Sequence, residues 1–207
     1  MAEDVIAKDF NTYYLDAMRK LVCITGLPGS GKSVASDYLV KKGFQYIRFG
    51  QIVLDEVMKR KLEINEVNER KIREELRSKY GMAAMAKLNL KNFKDLLKKG
   101  NVIGDGLYSF EEYKLLKNNF GKKFVTIAVY SPPLARYKRL AKRKLKISDK
   151  SARNRPISPK DAESRDFAEL DNLNKGGTIA MANYTIVNTK SLRYFYKQLD
   201  EIYKEIK

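Results

Sequence analysis

Gly26-Leu27-Pro28-Gly29-Ser30-Gly31-Lys32-Ser33 decides the fold, because two glycines separated by four residues are followed by Lys and Ser. This spacing is typical of a loop whose backbone N–H groups turn inward around phosphates. An apolar run of strand length, Leu21–Thr25, precedes the loop, and apolar side chains at helical spacing follow it from Val34 to Val40. The loop therefore lies between a strand and a helix, the context in which this motif binds a nucleoside triphosphate.

Individual residues of the loop are expected to have different roles in binding the triphosphate. Lys32 is expected to bridge the phosphates, and the hydroxyl of Ser33 is expected to ligate Mg²⁺. The helix that follows points its positive end at the same anion. A glycine-rich turn that precedes a helix by chance is the alternative interpretation. The predicted phosphate-binding residues are Gly26, Pro28, Gly29, Ser30, Gly31, Lys32, Ser33 and Val34.

The composition indicates a globular protein with one domain. The chain has 207 residues, is 43% hydrophobic, and contains no apolar run near the roughly 20 residues of a membrane span. An acidic N-terminus with no apolar signal core predicts a cytoplasmic protein without a membrane segment. We expect a monomer or a small homo-oligomer.

The charge and the residue types of the chain limit which kinds of functional site it can form. The chain has one Cys and no His, which excludes an intramolecular disulfide, an ordinary His or Cys-cluster metal site and a histidine base. Cys23 lies within the first predicted strand, so we interpret it as a small buried hydrophobe. A net charge of +17 suits phosphate-rich ligands or a nucleic-acid surface, and it does not distinguish between the two.

Strands and helices alternate along the chain. The patterns predict strands near residues 21, 44, 102, 124 and 184, with helices between them, and a helix that ends at Gly176-Gly177. This order predicts an α/β fold: a five-stranded parallel sheet with helices on both faces and ligands at the carboxyl edge.

Asp105 is a second candidate for the metal site. It ends the short predicted strand near residue 102 and stands between Gly104 and Gly106. A carboxylate at the carboxyl end of a parallel strand, beside the phosphate loop, is placed to hold Mg²⁺ through water. The alternative is an Asp-Gly turn residue without catalytic function.

A strongly basic segment follows the fourth strand. Residues 136–155 contain ten basic side chains against Asp149 alone, a net charge of +9, and Arg136, Arg139 and Arg143 share one helix face. A partner that neutralises the segment is the favoured interpretation, and a solvated helix face is the alternative.

Two insertions complete the predicted organisation of a single domain over residues 1–207. Residues 1–19 form an N-terminal extension, residues 51–99 form a helical insertion that holds the acceptor, and residues 134–175 form an arginine-bearing lid. Phosphoryl transfer needs such an arrangement, because the acceptor must be held in line with the γ-phosphate while water is excluded.

Four segments carry a resemblance to P-loop nucleotide kinases, and most closely to archaeal adenylate-kinase-related proteins that are similar to dephospho-coenzyme A kinase. They are Thr25 to Ser33, Gly104-Asp105-Gly106 before Ser109-Phe110-Glu111-Glu112, Ser131-Pro132-Pro133 with Arg136-Tyr137-Lys138-Arg139, and Ile179 to Asn188. The resemblance spans roughly residues 20 to 205 and implies an ATP- and Mg²⁺-dependent kinase of a nucleoside monophosphate or a similar nucleotide. It also implies that Asn188 lies near the adenine and that lid arginines among Arg136, Arg139, Arg143 and Arg155 grip the phosphates.

The chain departs from the pattern of these kinases on the acceptor side. Where they carry an acidic residue and an Arg after the second strand, this chain has Gln51 and Leu54, and Tyr108 replaces an Arg after the third strand. The segment between Arg143 and Arg165 is also longer and more basic.

Two functions remain open at this point. The first is a nucleotide kinase that uses Lys32, Ser33, Asp105 and the lid arginines. The second is a nucleotide-gated RNA- or ribosome-associated protein, in which the basic lid holds RNA. The second function would use Tyr108, Tyr113, Tyr130 and Tyr137 to stack on bases, although core or rim packing is the ordinary role of such tyrosines.

Overall fold

A computed structural model describes residues 19–144 and 156–207. Its centre is a five-stranded sheet in the order β2-β3-β1-β4-β5. All four neighbouring pairs are parallel. The strands are β1 Leu21–Thr25, β2 Gln45–Arg48, β3 Val102–Asp105, β4 Phe124–Tyr130 and β5 Tyr184–Val187. The predicted fold is confirmed, and the carboxyl ends of β1, β3 and β4 meet at one edge.

The described residues form nine α-helices, of which eight lie between strands and one follows β5. They are α1 Lys32–Lys41, α2 Gln51–Lys59, α3 Glu66–Tyr80, α4 Ala84–Leu97, α5 Phe110–Phe120, α6 Pro133–Ala141, α7 Pro159–Leu173, α8 Lys175–Ala180 and α9 Leu192–Ile206. Three of them, α2 to α4, separate β2 from β3, where the sequence predicts the helical insertion.

Alternation along β1 divides the core between the two faces of the sheet. Leu21 and Cys23 pack with the aromatic side chains of Phe49 and Phe93 on one face. Val22 and Ile24 pack on the other face, where α1 and α9 lie. Cys23 is fully buried, as the sequence predicts, and burial raises the pKa of its thiol well above the usual value. Because both faces of β1 are covered, packing fixes the position of its carboxyl end, from which the phosphate loop starts.

One predicted helix end is wrong. Gly176-Gly177 does not end α7; the helix stops at Leu173, and Asn174 turns the chain with a φ of 48° into α8, which contains both glycines. Asn tolerates the left-handed region because its short polar side chain bonds locally. Gly177 is required for packing instead, since a Cβ there would lie 3.0 Å from the ring of Phe110 on α5.

Some predictions fall outside the described residues. These are nearly all of the N-terminal extension and residues 145–155 of the lid, including Arg155. Within the described ranges, no helix combines the length and the apolar character that crossing a membrane requires.

Candidate active site

The phosphate loop joins the carboxyl end of β1 to the first turn of α1. Gly26, Gly29 and Gly31 have φ angles of 134°, 77° and 116°, which only glycine adopts without strain. Close packing imposes the same requirement, since a Cβ on Gly26 would lie 2.4 Å from the carbonyl oxygen of Val129 in β4. The backbone of the loop is therefore fixed by its neighbours.

Polar groups of the loop fit a phosphate ligand. The hydroxyl of Ser30 is buried, and its Oγ has no hydrogen-bond partner in residues 19–144 and 156–207. Lys32 Nζ donates to the carbonyl oxygens of Gly26 and Leu27 at 2.8 and 3.0 Å, so the ammonium lies across the mouth of the loop. These contacts hold the ammonium where the oxygens of a bound triphosphate would accept its hydrogen bonds in place of the two carbonyl oxygens.

The charge of Lys32 is weakly held in this environment. Burial, together with the positive charge of Lys175, lowers the pKa of its ammonium to about 7, although Glu169 and Asp105 act in the opposite direction. The approach of phosphate oxygens would restore the pKa, because an adjacent negative charge favours the protonated form.

Asp105 lies at the end of β3, paired in register with Ile24 of β1. Its carboxylate is buried, accepts a hydrogen bond from the Tyr46 hydroxyl at 2.9 Å, and is close enough to Lys32 to raise the pKa of that ammonium. This position at the sheet edge fits Mg²⁺ coordination through water. The described residues contain no cluster of three acidic, His or Cys side chains able to hold a metal alone. Coordination of Mg²⁺ by Ser33 and Asp105 stays a prediction, in which substrate phosphates would supply further ligands.

Arg136 has a different role from the predicted one. Its side chain is only 2% exposed, and it donates to Asp166 of α7 through two hydrogen bonds of 2.9 and 2.6 Å. It also donates to the carbonyl oxygens of Ser131 and Pro28. The prediction that Arg136 grips a phosphate from one face with Arg139 is not met in this arrangement, because its donors already hold the back of the phosphate loop.

Arg139 and Asn188 connect the loop to the end of β5. Arg139 is exposed and donates to the hydroxyl of Ser131 and to the carbonyl oxygen of Asn188. The amide of Asn188 donates to the carbonyl oxygen of Ser30 at 2.7 Å, and a Cβ on Gly31 would lie 2.5 Å from its Nδ2. Asn188 thus packs directly on the loop; its place near an adenine stays a prediction, as do the phosphate contacts of Arg139 and Arg143.

A buried ion pair lies beside the loop, and sequence reasoning missed it. Lys175, at the start of α8, is fully buried and donates to Glu169 of α7 at 2.5 Å. Arg165 donates to the other oxygen of Glu169 at 3.2 Å. These charges lower the pKa of the Glu169 carboxyl to about 2, although burial opposes them. The sharp turn at Asn174 brings Lys175 back toward Glu169, and no spacing rule signals such a turn.

The three acceptor-side departures occupy ordinary structural positions. Gln51 begins α2 and donates to Asp55 one turn later at 2.9 Å, and Leu54 is buried in the core. Tyr108 follows β3, and the ammonium of Lys175 lies 4.7 Å from the centre of its ring. A cation therefore lies next to the position where nucleotide kinases of this pattern have an arginine.

Comparisons with known proteins agree with the fold. The family model described as an AAA domain matches residues 22–164. A shikimate kinase from Acinetobacter baumannii, solved with shikimate, has a TM-score of 0.57 at 13% identity and covers 94% of this chain and 96% of its own. A shikimate kinase from Bacteroides thetaiotaomicron has a TM-score of 0.53. At these identities the likeness shows the fold alone.

Sequence comparison gives the family. A UPF0200 protein of Thermococcus onnurineus is 34% identical over 188 residues, covering 90% of this chain and 97% of the relative. A UPF0200 protein of Methanocaldococcus jannaschii is 35% identical over 187 residues, covering 90% of both. With its phosphate loop and this similarity over nearly the whole sequence, the chain belongs to the UPF0200 family of proteins with an AAA-type P-loop domain.

Proposed function

We propose that this protein is a kinase that transfers the γ-phosphoryl group of ATP, with Mg²⁺, to a nucleoside monophosphate or a related nucleotide. The observation that carries the proposal is the position of Asp105, in register with Ile24 near the carboxyl end of β1, beside the phosphate loop that leads to Lys32 and Ser33 in the first turn of α1. The fold is that of P-loop kinases, since solved shikimate kinases share it. The specific relation to adenylate kinases and dephospho-coenzyme A kinase remains a prediction from the sequence.

The residues of the chain divide the work of the reaction. The loop's N–H groups hold the β- and γ-phosphates, and Lys32 exchanges its carbonyl partners for phosphate oxygens. Bound Mg²⁺ would neutralise charge on the transferred group, with Ser33 and Asp105 as its protein-side contacts. Arg136 fixes the loop from behind through Pro28, so the phosphates meet a backbone that is already in place.

A coupled assay tests the proposal. ATP and Mg²⁺ are supplied with a panel of nucleoside monophosphates and dephospho-coenzyme A, and diphosphate or phosphorylated product is measured. Lys32→Ala is expected to reduce turnover by about 10²- to 10³-fold or more, since a charged transition-state contact is lost. Lys41→Ala, at the exposed end of the same helix, is the matched control and should leave turnover unchanged. If no panel member gives a product that depends on Lys32, the proposal is wrong.

The second candidate function is nucleotide-gated binding of RNA through the basic lid. Its support is the net charge of +17. Stacking by the four tyrosines finds less support, since Tyr113 and Tyr137 are each only 9% exposed, while Tyr130 is 50% exposed. Salt-titrated binding to single-stranded RNA tests it: backbone contacts predict an affinity that falls steeply with salt, and weak binding independent of salt would exclude it.

A further inference from the structure

Two buried polar atoms of opposite character lie on the acceptor side without a hydrogen-bond partner. They are Nε of Arg77, in the last turn of α3, and Oε1 of Glu112, in the first turn of α5. Neither atom has a hydrogen-bond partner among residues 19–144 and 156–207. Buried polar groups in native proteins are nearly always paired, so each orphan points to a missing partner.

Glu112 is held rigidly by the start of its own helix. Its Oε2 accepts hydrogen bonds from the backbone N–H groups of Tyr108 and Ser109 at 2.9 and 3.2 Å, and the Ser109 hydroxyl accepts from the Glu112 N–H. This capping box fixes the carboxylate plane. Oε1 is buried and has no donor, so it can accept a hydrogen bond from a ligand's hydroxyl or amine.

Arg77 and Glu112 act on each other electrostatically. Burial raises the pKa of the Glu112 carboxyl to about 7, although the hydrogen bonds from the Tyr108 and Ser109 N–H groups and the charges of Arg77 and Lys175 oppose it. Burial in turn lowers the pKa of Arg77, and Glu112 opposes that effect. The start of α5 lies against the chain just after α3, since the Ser109 hydroxyl donates to the carbonyl oxygen of Met82, two residues beyond the end of α3. Arg77 Nε and Glu112 Oε1 are not bonded to each other.

Lys175 connects this pair to the phosphate loop. Its charge acts on Glu112 and also on Lys32, and its ammonium lies over the Tyr108 ring. Lys175 is fully buried and forms an ion pair with Glu169. Tyr108 links Lys175 to Glu112, because its ring lies against the Lys175 ammonium and its backbone N–H donates to Glu112 Oε2.

We propose that Arg77 and Glu112 form the acceptor subsite of this protein, in which Arg77 binds an anionic group of the acceptor and Glu112 Oε1 accepts a hydrogen bond from a hydroxyl or amine next to it. The ammonium of Lys175 lies over the ring of Tyr108 beside this subsite. The acceptor is then a small polar molecule that carries a phosphate or carboxylate together with a donor group. This inference rests on the proposed kinase function and specifies its acceptor side.

Binding to the loaded enzyme tests the subsite. The loop is first saturated with Mg²⁺ and the non-hydrolysable analogue AMP-PNP, so that added anions cannot occupy it. Calorimetric titrations then use adenosine monophosphate and dephospho-coenzyme A as phosphate-bearing probes, and shikimate and gluconate as hydroxy-carboxylates. One of these classes should bind with 1:1 stoichiometry. Weak binding of all four would overturn the proposed acceptor chemistry.

Substitutions on one helix separate a binding role from a structural one. Arg77→Gln is expected to weaken binding of the probe by about ten- to hundredfold, the loss of charge-assisted hydrogen bonds, with AMP-PNP affinity unchanged. Arg70→Gln is the matched control, since Arg70 is exposed on the same helix and paired with Glu74. Arg77→Lys should restore part of the affinity by restoring the charge. Equal probe binding by Arg77→Gln and the wild type would overturn the subsite.

Kinetics distinguish failure of the subsite from failure of the kinase function. If product still forms in a Lys32-dependent reaction and Arg77→Gln leaves the acceptor KM unchanged, the subsite is wrong and the kinase function stands. If the wild type gives no product, the kinase function fails, and probe binding to the AMP-PNP complex still decides the subsite. Glu112→Gln adds a second readout: it should lower affinity for the hydroxyl-bearing probe more than affinity for inorganic phosphate.

Discussion

The two sides of the candidate site differ in what the protein holds in place: the backbone of the phosphate loop is held on the donor side, where the buried Ser30 hydroxyl lacks a partner, whereas atoms of two charged side chains lack one on the acceptor side, among the described residues. On the donor side, the loop is held by Arg136 through Pro28 and by Asn188 through Ser30. On the acceptor side, Arg77 Nε and Glu112 Oε1 are buried without a partner in the part of the chain that the structure describes. The donor side is preorganised by the protein, whereas the acceptor side is completed by its ligand. Packing fixes the shape of the phosphate loop on the donor side, and the unpaired atoms determine the specificity for the acceptor on the other side.

The strongest way to break the donor side is to remove Asp166. Asp166→Ala would leave the guanidinium of Arg136 buried without its carboxylate, and it would also remove the acceptor of the Tyr137 hydroxyl. Removing one partner of a buried pair costs about 3–5 kcal/mol of unfolding free energy. For a chain of this size that lowers the melting temperature by roughly 6–20 °C. Differential scanning calorimetry measures it.

The control for this prediction is Asp171→Ala, on the same helix but exposed. It should change stability by less than about 0.5 kcal/mol. Nucleotide affinity gives a second readout, because the Pro28 carbonyl loses its anchor when Arg136 relaxes. A variant Asp166→Ala as stable as the control would show that the pair does not hold the loop.

The donor side also has a predictable response to pH. The pKa of Lys32 in the free protein is about 7, because burial and the charges of Lys175 and Arg165 lower it more than Glu169 and Asp105 raise it. The ammonium is therefore partly deprotonated above pH 7. Triphosphate binding favours the charged form, so binding takes up a proton at high pH. Affinity should therefore fall as pH rises above about 7, by up to about tenfold per unit, and stay constant well below it.

Calorimetry in buffers of different ionisation enthalpy measures that proton uptake. At pH 8.5 the observed binding enthalpy should depend on the buffer with a slope approaching one proton, and at pH 6 it should not. Buffer-independent enthalpies at both values would mean that Lys32 stays charged in the free protein, and the predicted pH dependence of binding would be wrong.

The same contrast explains what the sequence could predict. The octapeptide from Gly26 to Ser33, the strand runs and Asp105 follow local rules of spacing and periodicity, and the structure places them as these rules predict. Arg136 illustrates the limit: its helix face was predictable, but its partner, Asp166, lies 30 residues away. Lys175 reaches Glu169 only because Asn174 adopts a positive φ. Contacts that depend on how helices pack have no signature in the spacing of residues.

The smallest effect is expected on the acceptor side, at Ser109. Its hydroxyl accepts from the Glu112 N–H at 3.0 Å and donates to the carbonyl oxygen of Met82 at 2.8 Å, and the side chain is fully buried. Ser109→Ala removes a helix cap, which costs about 0.5–2 kcal/mol, at the upper end here because the Met82 carbonyl also loses its donor. Ser191→Ala, the exposed cap of α9, is the matched control and should lie at the lower end.

Urea denaturation of both cap variants measures this difference, and acceptor titration sharpens its meaning. A loosened first turn of α5 lets the Glu112 carboxylate rotate, so Ser109→Ala should weaken binding of the acceptor probe while AMP-PNP affinity stays unchanged. Ser191→Ala should alter neither. Equal losses of acceptor and AMP-PNP affinity in Ser109→Ala would mean that the capping box supports the whole sheet edge, and the division of the site into a packed donor side and a ligand-completed acceptor side would be wrong.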